Sequence, residues 1–370
     1  MQEKNYHLAV ALRHELHSHP ELSMNEHWTK QHLMDFIREH TSLEVVDRGH
    51  WFYALHRVGE AYPSVVFRAD MDAIPVEEAP DLVPYASRCP GIGHKCGHDG
   101  HSAALASLAL ELDKSNVQKN VYLLFQHAEE IGRGAEECVS LLREENISEI
   151  YAFHNMPGYP FGAVAVLEET AQFASTGMIL SFTGLKSHAS YPEDGRNPAF
   201  AIGEILTQLP SMTAADLWRG LTLATVIQVA VGERAFGTSA GQGELLLTVR
   251  GEFEEEMDAL CQKLTDLAQQ KAEKYGLSLA VSYEDRFPET RNHPKAVEKV
   301  RLAAQQLGIP LAEMTEKFRA SEDFGYYTKE VPGAIFYLGS GDAPPLHTTA
   351  FDFPDELIKP AVDLFLQLLK

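Results

Sequence analysis

The chain has 370 residues, 45% hydrophobic and 23% charged, a composition typical of a globular protein and not of a disordered or fibrous one. Because a single hydrophobic core stops growing at about 250 to 300 residues, this length predicts two domains. Lys and Arg number 31 against 53 Asp and Glu, giving a formal net charge of −22. No basic run stands out that could neutralise phosphates, so no nucleic-acid partner is expected.

The cysteines and the hydropathy of the chain favour a soluble protein of a reducing compartment. Cys89, Cys96, Cys138 and Cys261 lack paired spacing. The N-terminal stretch has no apolar run of signal-peptide length, and no segment approaches the roughly 18 apolar residues of a membrane span. We therefore expect free thiols, a cytoplasmic location and no membrane association, with Cys138 and Cys261 as small core residues.

Up to about residue 170, strand-like and helix-like segments alternate along the chain. In order, the strand, helix, strand, helix and strand segments are YPSVVFRAD, HSAALASLALELDK, NVYLLFQHAEE, AEECVSLLREE and EIYAFHNMP. This alternation predicts an α/β architecture with a largely parallel sheet.

From about residue 174 the order changes to β-α-β-β-α-β, the pattern of a ferredoxin-like α+β unit. The segments are MILSFTGLKSHAS, NPAFAIGEILTQLPSM, LATVIQVAVG, GELLLTVRGEF, EEEMDALCQKLTDLAQQKAEKYG and LSLAVSYEDRF. Helix, strand and helix patterns then follow to the end of the chain. We predict a discontinuous first domain, residues 1–173 and 287–370, with residues 174–286 inserted as a lid.

Electron-pair donors concentrate in the segment HKCGHDGH, residues 94–101. Cys96 and His98 within it follow a predicted strand that ends near Asp72 and precede a helix predicted from Ser102. Ligands commonly bind at the carboxyl ends of strands in open α/β sheets. The segment is therefore a candidate metal site.

Further donors fall at the ends of other predicted strands: Glu129 and Glu130 end one, His154 ends another, and His347 lies in a loop after a third. At a strand end, one glutamate can bind a metal while its neighbour reaches the metal-bound water. Thiolate, imidazole and carboxylate donors favour zinc or a neighbour such as manganese, cobalt or nickel. Since one catalytic zinc usually has three protein ligands, this larger set favours two metals about 3.5 Å apart that share Cys96.

Each donor also has a simpler interpretation when it is taken alone. His94, His101 and His127 could be surface histidines, and the Glu129–Glu130 pair a solvated helix start. The coincidence of donors at three strand ends favours a metal site over these separate explanations.

Nine motifs, spread in order over the whole chain, carry a resemblance to a known family. They are RHELHSHPELSMNE, FRADMDAIPVEE, GHKCGHDGHSAALA, FQHAEEIGRGA, FHNMP, GLKSHASYPEDGRNPA, ASEDFGYY, YLGS and LHTTAFDF. The chain resembles the M20 family of metallopeptidases and amidohydrolases, in the branch that contains N-acyl-amino-acid amidohydrolases, hippurate hydrolase and auxin-conjugate hydrolases. The resemblance implies a zinc-exopeptidase-like catalytic domain with a central, mostly parallel sheet flanked by helices, an inserted ferredoxin-like lid domain, and two divalent metal ions per subunit.

The resemblance also implies roles for individual residues. The implied metal ligands, with Cys96 shared between the two ions, are Cys96, His98, Glu130, His154 and His347. Glu129 matches the general base, and Asp72 matches the acid that orients a metal-ligating imidazole. His188 matches the lid histidine that holds the carbonyl oxygen of the substrate, so the lid must close for catalysis.

The chain also departs from the pattern of the family it resembles. Lys95 stands where the family often has Ala, His127 where it often has Pro, and Glu193 where it often has a second His. The lid has AFGTSAGQGELLLTVRG in place of an Asn-Val-Ile-Pro stretch, which leaves the substrate open. Arg250 is a candidate for the carboxylate of the substrate, with a surface or structural role as an equal alternative.

The sequence indicates three candidate functions. The first is hydrolysis of the amide bond of small N-acetyl or N-aroyl amino acids, by attack of a metal-bound hydroxide with Glu129 as general base and acid. The second is cleavage of dipeptides by a dipeptidase or aminopeptidase of the same family. The third is a metal-dependent binding protein without catalysis. A homodimer formed through the lid domain is also expected.

Overall fold

A computed structural model describes residues 1–314 and 317–370, and helices and strands alternate through them. The helices are α1 (Glu3–Ser18), α2 (His27–His40), α3 (His98–Leu112), α4 (Gly134–Cys138), α5 (Ser140–Glu144), α6 (Ala199–Met212), α7 (Glu254–Tyr275), α8 (Pro294–Leu307), α9 (Gly325–Thr328) and α10 (Ile358–Leu368). The strands are β1 (Glu44–Asp47), β2 (Phe52–His56), β3 (Ser64–Asp70), β4 (Asn120–Gln126), β5 (Ile147–Met156), β6 (Val164–Ala165), β7 (Glu169–Gln172), β8 (Ala174–Thr183), β9 (Ser187–His188), β10 (Thr222–Val231), β11 (Thr238–Ser239), β12 (Gln242–Gly251), β13 (Ser278–Phe287), β14 (Thr290–Asn292) and β15 (Gly333–Gly339).

The first compact unit is built around a seven-stranded sheet of order β1-β2-β4-β3-β5-β15-β6. The four central strands, β4, β3, β5 and β15, are parallel, while β1, β2 and β6 join antiparallel at the edges. Strands β3, β4 and β15 are buried at every residue because helices cover both faces of the sheet. The predicted α/β layer architecture with a mostly parallel centre is confirmed.

Two apolar cores lie on opposite faces of this sheet. One gathers side chains from α1, α2, α3, α8 and α10, and the other from α4, α5 and α9. Helix α3 is buried along almost its whole length, as its Ala- and Leu-rich sequence requires. It begins at His98 and not at Ser102 as predicted, because Gly97 adopts a left-handed φ of 99° that ends the preceding loop.

Local details of the first unit also differ from the sequence prediction. The helix predicted over AEECVSLLREE is two short helices, α4 and α5, with Val139 between them. Strand β5 continues past His154 to Met156, so this histidine lies inside the strand and does not end it.

The second unit contains a four-stranded antiparallel sheet of order β10-β12-β8-β13, with α6 and α7 packed on its apolar side chains. Burial alternates along β8 and β12, as expected for strands with one covered face. The order β8-α6-β10-β12-α7-β13 is the β-α-β-β-α-β pattern read from the sequence. Cys261 lies in this core, and Cys138 lies in a core of the first unit.

The limits of the two units differ slightly from the predicted domains. The first comprises Met1–Ala171, Thr290–Lys317 and Asp323–Lys370, and the second comprises Gln172–Glu289 and Phe318–Glu322. The last segment groups with the second unit because Phe318 pairs with Gln172 and the Phe173 amide donates to the Ala320 carbonyl at 3.2 Å.

Over residues 1–314 and 317–370, every helix is too short or too polar to cross a membrane. All four cysteines carry free thiols. The cytoplasmic location stays a prediction.

Candidate metal centre

The thiol of Cys96 and the imidazole of His98 are brought together by the turn that starts α3. Gly97 between them has φ 99°, and a Cβ at this position would lie 2.2 Å from Asn155 Oδ1. Only glycine fits both the left-handed backbone and this close approach. The spacing Cys-Gly-His therefore places two donors at the same end of one helix.

Two more histidines reach the sulfur of Cys96. His154 Nε2, from β5, lies 3.5 Å from Cys96 Sγ, and His347 Nε2 lies 3.3 Å from the same atom. His154 Nδ1 is 2.8 Å from the Asn155 carbonyl, so it carries the ring proton and leaves Nε2 as a lone-pair donor.

The carboxylates approach the site from the segment that follows β4. Glu130 Oε1 lies 3.7 Å and Glu129 Oε2 3.9 Å from His98 Nε2, and Glu130 Oε1 lies 3.6 Å from His347 Nε2. Asp72 supports this side of the site: its backbone oxygen and its Oδ1 lie 3.0 and 3.2 Å from His98 Nδ1. Its Oδ2 accepts the Glu130 amide proton at 3.0 Å.

These donors form overlapping groups whose ligand atoms all lie within 4.8 Å of one another. Among these groups are Cys96, His98 and His154; Cys96, Glu130 and His347; and His98, Glu129 and Glu130. Cys96 is common to the first two, so the arrangement suits two metals with a shared thiolate. The structure thus brings together all five predicted ligands, with Glu129 and Asp72 beside them.

One buried atom tests whether this donor set fits a cation. His98 Nε2 is buried, and no hydrogen-bond partner reaches it from the part of the chain that the structure describes. Because the Asp72 oxygens receive the Nδ1 proton, Nε2 can offer a lone pair to a cation among the two glutamates and Cys96 once its own proton is released. A buried lone pair among carboxylates and a thiol has the chemistry of a metal ligand.

The electrostatics of the site also favour a cation. Burial, with the Glu130 and Glu129 carboxylates, raises the pKa of the Cys96 thiol well above its usual value. Burial raises the pKa of Glu130 to about 7, although His98 opposes the shift. Burial lowers the pKa of His98, but the Asp70 and Asp72 carboxylates outweigh it and raise this pKa to about 10. Protons thus offset the crowded negative charge, and a divalent ion can replace them.

The other histidines near the site are not surface residues, so that interpretation is wrong. His94, His101 and His127 are all buried. His101 is engaged on both ring nitrogens, since Nδ1 lies 2.7 Å from Asp70 Oδ1 and Nε2 lies 2.7 Å from Asn155 Oδ1. It therefore belongs to the polar support of the site and is a poor candidate for a ligand.

Two predicted residues belong to the second unit. His188 lies on β9, which pairs with β11, and its Nδ1 accepts the Ser190 amide proton at 3.1 Å. Arg250, on β12, is half-buried, and its Nη1 donates to the Arg319 carbonyl at 3.1 Å and to Ser321 Oγ at 2.8 Å. Burial lowers its pKa. Within residues 1–314 and 317–370, no carboxylate offsets this effect of burial on the guanidinium.

Sequence reasoning missed two side chains that reach the surroundings of the site from the N-terminal segment. Glu26 Oε1 accepts the Ala128 amide proton at 2.7 Å, and Ser23 Oγ donates to Asp72 Oδ2 at 2.7 Å. Burial, with the Asp72 carboxylate, raises the pKa of Glu26 to about 7. Both residues lie in the motif RHELHSHPELSMNE, but no metal-ligand chemistry or spacing distinguishes them there.

A comparison with known protein families tests the family resemblance that these residues carry. The family described as Peptidase family M20/M25/M40 matches residues 66–370. The chain belongs to this family. The membership confirms the resemblance seen in the motifs and, with it, the prediction of an M20-type hydrolase.

Relatives of this M20 protein cover all or nearly all of its length. It is 27% identical to an N-acetylcysteine deacetylase of Bacillus subtilis, over 100% of this chain and 98% of that one. It is 29% identical to an N-acetyldiaminopimelate deacetylase of Exiguobacterium sibiricum, over 96% of both chains. A crystal structure of a Bacillus subtilis protein, described as a dinuclear metal binding peptidase from the M20 family, superposes with a TM-score of 0.83 at 25% identity, covering 100% and 98% of the two chains.

Proposed function

We propose that this M20 protein is a metal-dependent amidohydrolase that cleaves the amide bond of small N-acyl amino acids. The observation that carries the proposal is the pair of donor groups sharing Cys96, with the Glu129 carboxylate 3.9 Å from His98 Nε2. Full-length relatives named as deacetylases of N-acetylcysteine and N-acetyldiaminopimelate support the substrate class.

The residues divide into two ligand sets. Cys96, His98 and His154 would hold one ion, and Cys96, Glu130 and His347 the other. Bound there, two divalent ions would lower the pKa of a water molecule and polarise the substrate carbonyl. Zinc, manganese, cobalt and nickel all accept this mixture of donors.

Glu129 is the proton carrier of the reaction. Its carboxylate takes a proton from the water that attacks the carbonyl carbon, and it returns this proton to the amine as the C–N bond breaks. One buried carboxyl group can do both because it alternates between its ionised and its protonated form. Asp72 keeps the Nδ1 proton of His98 in place during this cycle, so that the ring does not rotate.

His188 is the donor for the developing oxyanion. Its Nδ1 accepts the Ser190 amide proton, so the neutral ring carries its own proton on Nε2 and can give a hydrogen bond there. Such a donor contributes about 3 to 4 kcal/mol to transition-state stabilisation. Because His188 belongs to the second unit, this role requires that unit to act as a lid that closes over the metal centre.

Arg250 is the proposed contact for the carboxylate of the amino-acid part. A half-buried guanidinium with two donors committed to neutral oxygens still has other N–H groups to offer to a carboxylate. This role distinguishes N-acyl amino acids, which have a free carboxylate, from neutral amides.

A substrate panel tests the proposed function. N-acetyl amino acids, N-benzoyl amino acids and free dipeptides are offered to protein loaded separately with zinc, manganese and cobalt, and products are separated by chromatography. Release of free amino acid from the acylated compounds is expected. Cleavage confined to dipeptides would assign the protein to the peptidases, and tight ligand binding without turnover would assign it a non-catalytic role.

A homodimer formed through the second unit is part of the proposal. β10 is an edge strand of its sheet, and Val226, Ile227 and Val229 on it are 41%, 60% and 46% exposed. An apolar edge strand favours pairing with a second copy. Light scattering should give twice the chain mass for the wild type and the monomer mass for Ile227→Lys; a monomeric wild type would refute the dimer.

A further inference from the structure

The segment that carries Glu129 and Glu130 has an unusual backbone. Ala128 has a left-handed φ of 47°, and its carbonyl accepts the amide protons of Arg133 and Gly134, each at 3.1 Å. Gly134 packs so closely that a Cβ there would lie 1.6 Å from the His127 carbonyl oxygen. A non-glycine residue in the left-handed region persists only where its surroundings hold it.

Two buried carboxylates hold this turn by its amide protons. Glu26 Oε1 binds the N–H of Ala128 at 2.7 Å, and Asp72 Oδ2 binds the N–H of Glu130 at 3.0 Å. The backbone is thus fixed on both sides of Glu129. Such a clamp explains how two consecutive glutamates can both approach His98, although neighbouring side chains in extended backbone point to opposite faces.

Glu26 is placed for this purpose and not for ligation. It is 3% exposed and belongs to none of the donor groups found among residues 1–314 and 317–370. Ser23, three residues earlier, donates to the same Asp72 Oδ2 that holds the Glu130 amide. Side chains of the segment before α2 therefore contact both the Ala128 amide and the Asp72 carboxylate.

We propose that Glu26 is a positioning residue that aims Glu129 and Glu130 by accepting the Ala128 amide proton. This role of Glu26 deepens the proposed function, and the effect of Glu26 on turnover rests on that function. Glu26 aims the two glutamates through the position of one acceptor oxygen and not through its negative charge. The length of its side chain therefore matters more than its ionisation.

Two variants separate oxygen position from charge. Glu26→Gln keeps an acceptor oxygen at the same distance along the side chain, whereas Glu26→Asp keeps the charge but is one methylene too short to reach Ala128. Glu21→Asp is the matched control, because Glu21 also accepts backbone amide protons, from Trp28 at 3.1 Å and Thr29 at 2.8 Å, in the same segment.

The readouts are zinc affinity by competition with a chromophoric chelator, kcat, KM and the melting temperature. For Glu26→Asp we expect about tenfold losses in affinity for one of the two ions and in kcat, with KM unchanged. Glu26→Gln should stay within about threefold of wild type in both. Glu21→Asp should lower only the melting temperature.

Wild-type metal affinity and kcat in folded Glu26→Asp would overturn the inference, as would a Gln variant that is impaired as strongly as the Asp variant. Metal affinity is measured without any substrate. If the wild type hydrolyses nothing in the panel but the affinities follow the expected order, the proposed function fails while the positioning role of Glu26 stands.

Discussion

His347 Nε2 lies 3.3 Å from Cys96 Sγ, although the two residues are 251 positions apart in the chain. Two hydrogen bonds support this pairing: the His347 amide donates to the Lys95 carbonyl at 2.8 Å, and Lys95 Nζ donates to the Phe351 carbonyl at 2.9 Å. The loop that carries His347 is therefore tied to the segment that carries Cys96 at three points. The metal centre is therefore complete only when the segment around Cys96 and the segment around His347 have folded against each other.

Replacing the shared thiol should reduce the metal content. Cys96→Ser removes the soft donor common to both ligand sets, so we expect fewer than two zinc ions per chain by elemental analysis after gel filtration. Cys89→Ser is the control, because Cys89 is half-buried and belongs to none of the donor groups among residues 1–314 and 317–370. A variant at Cys96 that retains two tightly bound ions would show that the sulfur is not a shared ligand.

Removing the proton carrier should separate binding from turnover. Glu129→Gln cannot accept a proton, so we expect kcat to fall by about 10²- to 10⁴-fold while two metals stay bound. The comparison is Glu136→Gln, an exposed acid in the first turn of α4, which should keep full activity. Equal activity of the two variants would refute the role given to Glu129.

Metal affinity should fall as the pH is lowered. Without metal, Glu130 has a pKa of about 7, His98 a pKa of about 10 and the Cys96 thiol a pKa well above its usual value, so all three hold protons that metal binding must release. Between about pH 9 and 7 the protons of Cys96 and His98 are released on binding, and below about pH 7 that of Glu130 is released as well. For each proton released, the metal affinity weakens tenfold for every unit by which the pH falls. The plot of log affinity against pH should therefore steepen below about pH 7.

Chelator competition in buffers from pH 6 to 9 measures this slope, and calorimetry in two buffers of different ionisation enthalpy counts the released protons. An affinity that does not change over this range would mean that the donors are already deprotonated, against the charge balance described here.

The packing of α3 against the loop after His347 should be intolerant of an added methyl group. A Cβ at Gly100 would lie 2.4 Å from Cγ of the buried Phe353, so Gly100→Ala should cost about 1 to 3 kcal/mol of unfolding free energy. Gly203→Ala, in α6, meets nothing within 4 Å and should instead stabilise by about 0.5 to 1 kcal/mol. Urea denaturation measures both, and equal stabilities would contradict this packing.

The sequence reveals the ligands more readily than their supports. Cys96, His98, Glu130, His154 and His347 are found because their side chains have metal-binding chemistry and fall near the ends of predicted strands. Glu26 gives no such signal, because its role depends on the left-handed turn at Ala128, and a single φ angle leaves no periodic pattern.

The histidines illustrate a second limit. His101 is polar and close to the ligands in sequence, yet it is buried with both nitrogens engaged by Asp70 and Asn155. Those partners come from β3 and β5, so pattern alone cannot distinguish a supporting histidine from a surface one.

The limits of the second unit show the same dependence on distant contacts. Its order of helices and strands follows from apolar periodicity, whereas the assignment of residues 318–322 to it depends on pairing with Gln172 and Phe173.

The most direct test of the account is anomalous diffraction from crystals of the zinc-loaded protein, measured on both sides of the zinc edge. We expect two peaks about 3.5 Å apart, each about 2.3 Å from Cys96 Sγ, with His98 and His154 on one and Glu130 and His347 on the other. A single peak, or two peaks of which either is not bonded to Cys96, would contradict the shared-thiolate centre on which the proposed chemistry depends.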